Sequence, residues 1–293
     1  MPFPLELLLL LLAAGAACAL PGAFLVLRRQ AMVADALSHV LLFGIAVAYL
    51  IFRDLDSPWL FFGAAASGVL TVALVEWLQT SRFIKADAAI GLVFPALFAL
   101  GAILIALFVP KTTHLDVDQV LLGSPEFGAI DAIVLDGRPI VAKGTVLLTG
   151  LFSLELGFVL LLWKELSIGT FDPLQANLQG FRPRLLHYLL MALVSATAVA
   201  AFSAVGPITV VALFVVPAAS AKLLATRLST MIAMAVGFGL AGGLIGVPLA
   251  LWLDTNVGGT MATVLGLLFA AALTIADLKA KFGRYAAPVT VAP

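Results

Sequence analysis

Asp35 and His39 stand four residues apart in the stretch Ala34-Asp35-Ala36-Leu37-Ser38-His39. On a helix that spacing stacks a carboxylate and an imidazole on one face, about one turn apart. Carboxylate oxygen suits manganese and imidazole nitrogen suits zinc, so the pair is a reasonable holder for a divalent first-row metal ion. The same two groups could instead hydrogen-bond to each other and fix helix packing. Glu76 and Glu155 are the other acids embedded in apolar runs, where an ionised group costs roughly 2.5–3.5 kcal/mol on insertion scales and needs a partner, a cavity or a proton. Glu76 lies within a turn of a segment end and can reach the boundary. Glu155 has no local partner and is a candidate either for an ion path or for packing. A further polar cluster, Thr113-His114-Leu115-Asp116-Val117-Asp118, brings the potential ligands His114, Asp116 and Asp118 within five residues. They could attract cations at an entrance, dock another protein, or form a solvated loop in which Asp116 or Asp118 caps a short helix.

Other chemistry is absent. No Gly-x-x-x-x-Gly-Lys-Ser/Thr phosphate loop occurs, so the chain does not hydrolyse ATP through that fold. There is no His-Glu-x-x-His and no Gly-x-Ser-x-Gly. The three histidines, His39, His114 and His187, fall at different expected depths, which argues against an all-histidine site. The single cysteine, Cys18, excludes a disulfide framework and a Cys-rich metal site. A net charge of zero leaves no basic face to neutralise phosphates, so nucleic acid is not an expected partner.

The elements that must position Asp35 and His39 follow from composition. The 293 residues are 63% apolar and 11% charged, with a mean hydropathy of +1.17. So few charges cannot cover a soluble fold of this length without large apolar patches, and the solvent for this surface is lipid. A spanning helix needs ~20 mostly apolar residues. Runs of that kind lie near 5–27, 31–52, 59–78, 89–109, 145–163, 186–219, 230–253 and 260–276. The first has no basic residue before it and is longer than a signal's apolar stretch, so it is expected to be a retained membrane helix. The run 186–219 is about 51 Å long as one straight helix at 1.5 Å per residue. Gly206-Pro207 lies inside it, and proline removes a backbone donor and clashes with the preceding turn, so a break is expected there. Nine segments result.

Charge placement supports the split. With the N-terminus outside, twelve of the sixteen Lys and Arg fall in inner loops and four in outer ones, as the positive-inside rule requires. The expected fold class is an all-α integral membrane protein, a polytopic bundle of eight to nine transmembrane segments with its C-terminus cytoplasmic. Residues 1–293 form one transmembrane domain with an outer loop at 110–144. Within that loop, Asp136-Gly137 between Ala132–Leu135 and Pro139–Ala142 signals a small hairpin. On the inner side, Phe171-Asp172-Pro173 offers Asp as N-cap and Pro at the first helical position, predicting a short helix over 173–180. Pro217-Ala-Ala-Ser-Ala-Lys222-Leu-Leu224 places small residues and then a cation at the inner end of a limb. That pattern fits close helix packing or a docking helix for a cytoplasmic partner.

Taken in order, these blocks resemble the manganese/zinc/iron ABC-transporter permeases. The similarity is carried by Arg28-Arg29 with Asp35-Ala-Leu-Ser-His39 and Gly44, by Asp87-Ala-Ala-Ile-Gly91, and by His114-Leu-Asp116-Val-Asp118. It continues through Phe171-Asp172-Pro173 with Ala176 and Gly180, Val205-Gly206, and Pro217-Ala-Ala-Ser-Ala221, from about residue 20 to 270. Ser220 and Lys222 stand where Thr and Arg are expected. The stretches at 114–118 and 171–173 are similar to the manganese-uptake branch. The resemblance implies the type II importer fold in a bacterial cytoplasmic membrane, crossing it several times. It implies import of Mn2+ or Zn2+, with iron as a further candidate, as transported ions rather than permanently bound cofactors. It also implies two ATP-binding subunits that hydrolyse ATP on the cytoplasmic face, an extracytoplasmic metal-binding protein, and a second permease subunit, identical or related. Asp35 and His39 would then lie on the metal path. Glu155, His114, Asp116 and Asp118 would be further path or entry candidates. Pro217, Ala219, Ala221, Lys222 and Leu223 would belong to the region of about 215–229 that couples to the ATPase. An ion-coupled secondary metal transporter shares the composition, but it should show two related halves with buried acids in both, and no acid interrupts the apolar runs after Glu155.

Overall fold

Apolar runs in hydrocarbon must pair their own peptide groups, so they fold as helices. The computed structural model describes residues 3–54, 57, 59–79, 84, 86–108, 125–135 and 138–285. In order, these form α1 (Phe3–Leu27), α2 (Ala31–Phe52), α3 (Trp59–Gln79), α4 (Ala86–Phe108), α5 (Pro125–Ile130), β1 (Ala132–Leu135) and β2 (Arg138–Ala142). Then come α6 (Lys143–Leu161), α7 (Trp163–Phe171), α8 (Pro173–Leu178), α9 (Pro183–Val205), α10 (Pro207–Leu224), α11 (Leu228–Leu253) and α12 (Val257–Tyr285). Among the described residues nine helices are long and apolar enough to cross a membrane: α1 to α4, α6 and α9 to α12.

The helix α1 is the hub. Every residue from Ala14 to Leu25 is buried, and the helix packs against α6, α9, α10 and α11. Its run of Ala and Gly explains this position, because small side chains let several backbones approach one helix at once. A second group, α2, α3 and α4, packs around α2, and α3 joins it to the hub through α9. Where α2 crosses α3, a Cβ on Gly44 would lie only 2.7 Å from Cα of Ala64, so no side chain fits. That crossing fixes the helix carrying Asp35 and His39.

The expected break within 186–219 occurs at Gly206, which has φ 81 and ψ 161. This left-handed conformation is open to glycine and strained for other residues. Pro207 then starts α10 at a position where its missing N–H is not needed. Pro21, Pro95, Pro217 and Pro248, by contrast, sit within continuous helices. Proline alone does not stop a spanning helix, because neighbouring helices can satisfy the freed groups. The adjacent glycine decides the matter.

The short helix expected after Phe171 also forms. Asp172 accepts a hydrogen bond from Gln175 N–H at 2.9 Å, with Pro173 at the first helical position. At its far end Phe181 N–H donates to Ala176 C=O and Gly180 N–H to Asn177 C=O, both at 3.0 Å, the paired pattern that closes a helix through glycine. The strands β1 and β2 pair antiparallel around residues 136 and 137, with Ala132 opposite Ala142 and Leu135 opposite Arg138. An irregularity between Ile133 and Val134 marks a bulge, which bends and twists such a ribbon.

Candidate metal path

Asp35 and His39 lie one turn apart on α2, and both side chains are half-buried. The backbone carbonyl of Asp35 accepts a hydrogen bond from Ser38 Oγ. The imidazole of His39 is bracketed by two rings of α4. Phe94 stacks on it with centroids 5.6 Å apart, and Phe98 meets it edge-on at 5.9 Å. Such contacts hold a ring in place without using its nitrogens. Among the described residues, no third His, Cys, Asp or Glu joins the pair to make a metal-sized cluster.

Glu155 sits elsewhere. It is 1% exposed on α6, which packs against α1 and α9. Thr197 Oγ1 donates to its Oε1 at 2.6 Å, and its Oε2 is buried without a hydrogen-bond partner. Sequence reasoning found the acid but not the threonine, which lies 42 residues away and carries no local signal. Thr197→Val is expected to lower stability by about 1–2 kcal/mol, with Thr197→Ser close to wild type. Hydrogen bonds in membranes average only about 0.6 kcal/mol, but Oε2 already lacks a partner, so losing Thr197 leaves the whole buried carboxyl unpaired and the larger cost of an orphaned group applies. Thermal unfolding in detergent measures the difference.

Glu76 does more than reach the boundary. Tyr188 O–H donates to its Oε2 at 2.5 Å, and His187 Nε2 lies 3.3 Å from its Oε1. These partners are on α9, over 100 residues away in sequence. The structure also adds a fourth acid to the three singled out within the apolar runs: Glu6, in the first turn of α1, is 7% exposed. His114, Asp116 and Asp118 lie outside the described residues. The stretch from Pro217 divides into two faces. Pro217, Ala218, Ser220 and Ala221 are buried and Ala219 is half-buried, while Lys222 and Leu223 are exposed. It forms the last turns of α10 rather than a separate helix.

Ionisable groups buried on helices long and apolar enough to span a membrane mark a membrane protein with polar groups inside its bundle. Comparison then gives the family. The chain belongs to the ABC 3 transport family, which it matches over residues 2–276. It is 39% identical over 258 residues to the manganese transport system membrane protein MntD of Bacillus subtilis, covering 88% of this chain and 87% of that one. It is 42% identical over 270 residues to the zinc transport system membrane protein TroD of Treponema pallidum, covering 91% of this chain and 72% of the other. Among solved structures it is similar to PsaBC from Streptococcus pneumoniae in complex with Fab, with a TM-score of 0.74 and 28% identity over 93% of this chain and 91% of that one.

Proposed function

We propose that the chain is the membrane-spanning permease subunit of an ATP-driven importer for divalent transition-metal ions: manganese, zinc or iron. What supports the reading is the Asp35–His39 pair, a carboxylate and an imidazole one turn apart on a spanning helix of a chain whose relatives are named for manganese and zinc. A second permease chain facing the first would complete a four-ligand site of mixed oxygen and nitrogen donors. Two ligands per chain bind weakly enough to release, which a conducting path requires. So sparse a site does not choose manganese over zinc, because affinity rises toward zinc in the divalent series. Selection falls to an extracytoplasmic binding protein that delivers the ion.

The orientation follows the cations. With the N-terminus outside, the basic inner face carries Lys222 and Arg227 beside the end of α10, where two cytoplasmic ATP-binding subunits would dock. Residues 1–293 then act as one transmembrane domain of a bacterial cytoplasmic membrane. Energy comes from the docked subunits, since this chain has no phosphate loop. The test is transport by the purified chain in lipid vesicles. Alone it is expected to move no Mn2+ or Zn2+ under a proton or sodium gradient, and to do so only with its ATP-binding subunits and ATP. Gradient-driven transport by the chain alone would establish a secondary carrier instead.

A further inference from the structure

Arg28 lies in the short link between α1 and α2, a few residues ahead of Asp35. Its guanidinium joins two other elements. Nη1 is 2.9 Å from Nδ1 of His187 on α9, and Nη2 donates to Thr170 Oγ1 of α7 at 3.1 Å. Burial pulls the Arg28 pKa below its ordinary value, yet a guanidinium has only donors to offer. His187 must therefore accept at Nδ1, and a neutral imidazole then carries its proton on Nε2. Nε2 lies 3.3 Å from Oε1 of Glu76.

Around this chain of contacts the structure is hollow. Gln30, Glu76 and His187 line an internal cleft of about 30 Å3, which Val33 and Ala36 of α2 also border. The same three residues line an open vestibule of about 430 Å3 beside Arg28 and Thr170. They thus stand in the wall between the space behind α2 and the outside. The internal cleft holds one or two water-sized groups, which needs about 10–15 Å3 each. Oε1 of Gln30 is buried and has no hydrogen-bond partner, and Nε of Arg28 is in the same condition. A buried carbonyl oxygen left unpaired is unfavourable. A ligand that pairs it in another state accounts for its retention.

We propose that Glu76, His187 and Gln30 form a second, transient site for divalent transition-metal ions, assembled only when Arg28 has left His187. The proposal rests on the assignment of the chain as a metal permease. Carboxylate oxygen, imidazole nitrogen and amide oxygen make a donor set suited to manganese and zinc. The amide explains why a cluster of three His, Cys, Asp or Glu is not required there. While Arg28 holds Nδ1, the proton on Nε2 keeps that nitrogen from ligating. Once Arg28 departs, the proton can move to Nδ1 and the Nε2 lone pair faces Glu76. The returning guanidinium then acts as a tethered cation. It restores the proton to Nε2 and repels the bound ion, so the site empties instead of trapping its cargo.

Equilibrium Mn2+ binding to the full-length chain in lipid nanodiscs tests this, read from the electron paramagnetic resonance signal of free Mn2+. All variants carry His39→Ala, which disables the pair on α2. Adding Arg28→Met is expected to create about one Mn2+ site per chain, at least tenfold tighter than any binding by the parent. Adding Glu76→Gln or His187→Ala to that variant should abolish the gain, and Arg28→Lys, which keeps a tethered cation, should give none. If Arg28→Met fails to fold, Arg28→Gln removes the same charge and serves in its place. No gain on neutralising Arg28, the result for a purely structural clamp, would overturn the proposal, as would a gain that survives Glu76→Gln. These isotherms are independent of transport. Failure of the permease assignment appears instead as gradient-driven metal transport by the chain alone in lipid vesicles.

Discussion

Asp35→Ala and His39→Ala are each expected to reduce metal uptake to the level of cells lacking the chain, with the amount of chain in the membrane unchanged. The size of the effect follows from how little the site contains. Among the described residues no third His, Cys, Asp or Glu stands by to replace either ligand. Loss of groups that only support a ligand already costs about 10–100-fold in affinity, and loss of a ligand from so sparse a site should exceed that. Stability is a smaller matter. Both side chains are half-buried, and the contacts of His39 with Phe94 and Phe98 contribute about 0.5–1.5 kcal/mol by analogy with aromatic pairs. His39→Phe separates the two roles, because it keeps the ring contacts and removes the nitrogens, and it should be as inactive as His39→Ala. Cellular manganese and zinc measured by mass spectrometry, with immunoblots of the membrane fraction, give the result. Normal accumulation in Asp35→Ala or His39→Ala would remove the pair from the path.

How far the sequence led can be judged from particular residues. Spanning helices are legible because hydrocarbon imposes a length and forbids unpaired backbone, and the break at Gly206-Pro207 is legible because two adjacent residues cause it. The Asp172 cap and the ribbon around residues 136 and 137 are equally local. What stayed hidden is pairing across the bundle. Glu76 with Tyr188, His187 with Arg28, and Glu155 with Thr197 join residues 112, 159 and 42 positions apart. A helix face shows its own spacing and nothing of the helix that will cover it. Glu6 is hard to find for a different reason. One acid near the end of a long apolar run barely alters the run's hydropathy, and only packing shows that its side chain turns inward. The family blocks point to Asp35 and His39, yet the aromatic bracket of α4 around His39 depends on how α2 and α4 pack, which no short motif records.

The end of α10 is the second place where a single substitution should silence transport, by a different route. From Pro217 the helix has one face sunk into the bundle, with Ala218 and Ala221 fully buried and Ser220 Oγ bonded back to Val216 C=O at 2.8 Å. Its other face presents Lys222 and Leu223, the latter 37% exposed, just before the three-residue turn into α11. An apolar side chain beside a cation at the end of a span is a natural anchor for a docked subunit. Because α10 packs on α1, α11 and α12 and also touches α2, a push at Leu223 reaches the helix that carries Asp35 and His39. Leu223→Asp places a charge where an apolar contact is needed. Loss of such an anchor costs ~2 kcal/mol or more, or roughly a thirtyfold loss of affinity at 1.4 kcal/mol per decade. The ATP-binding subunits should no longer co-purify and ATP-dependent uptake should cease, while the chain unfolds at its usual temperature. Ala221→Leu is expected to do the reverse. It overpacks a closed site at about 1–3 kcal/mol and lowers the unfolding temperature before docking is affected. Normal assembly and uptake with Leu223→Asp would show that coupling enters the bundle somewhere other than the end of α10.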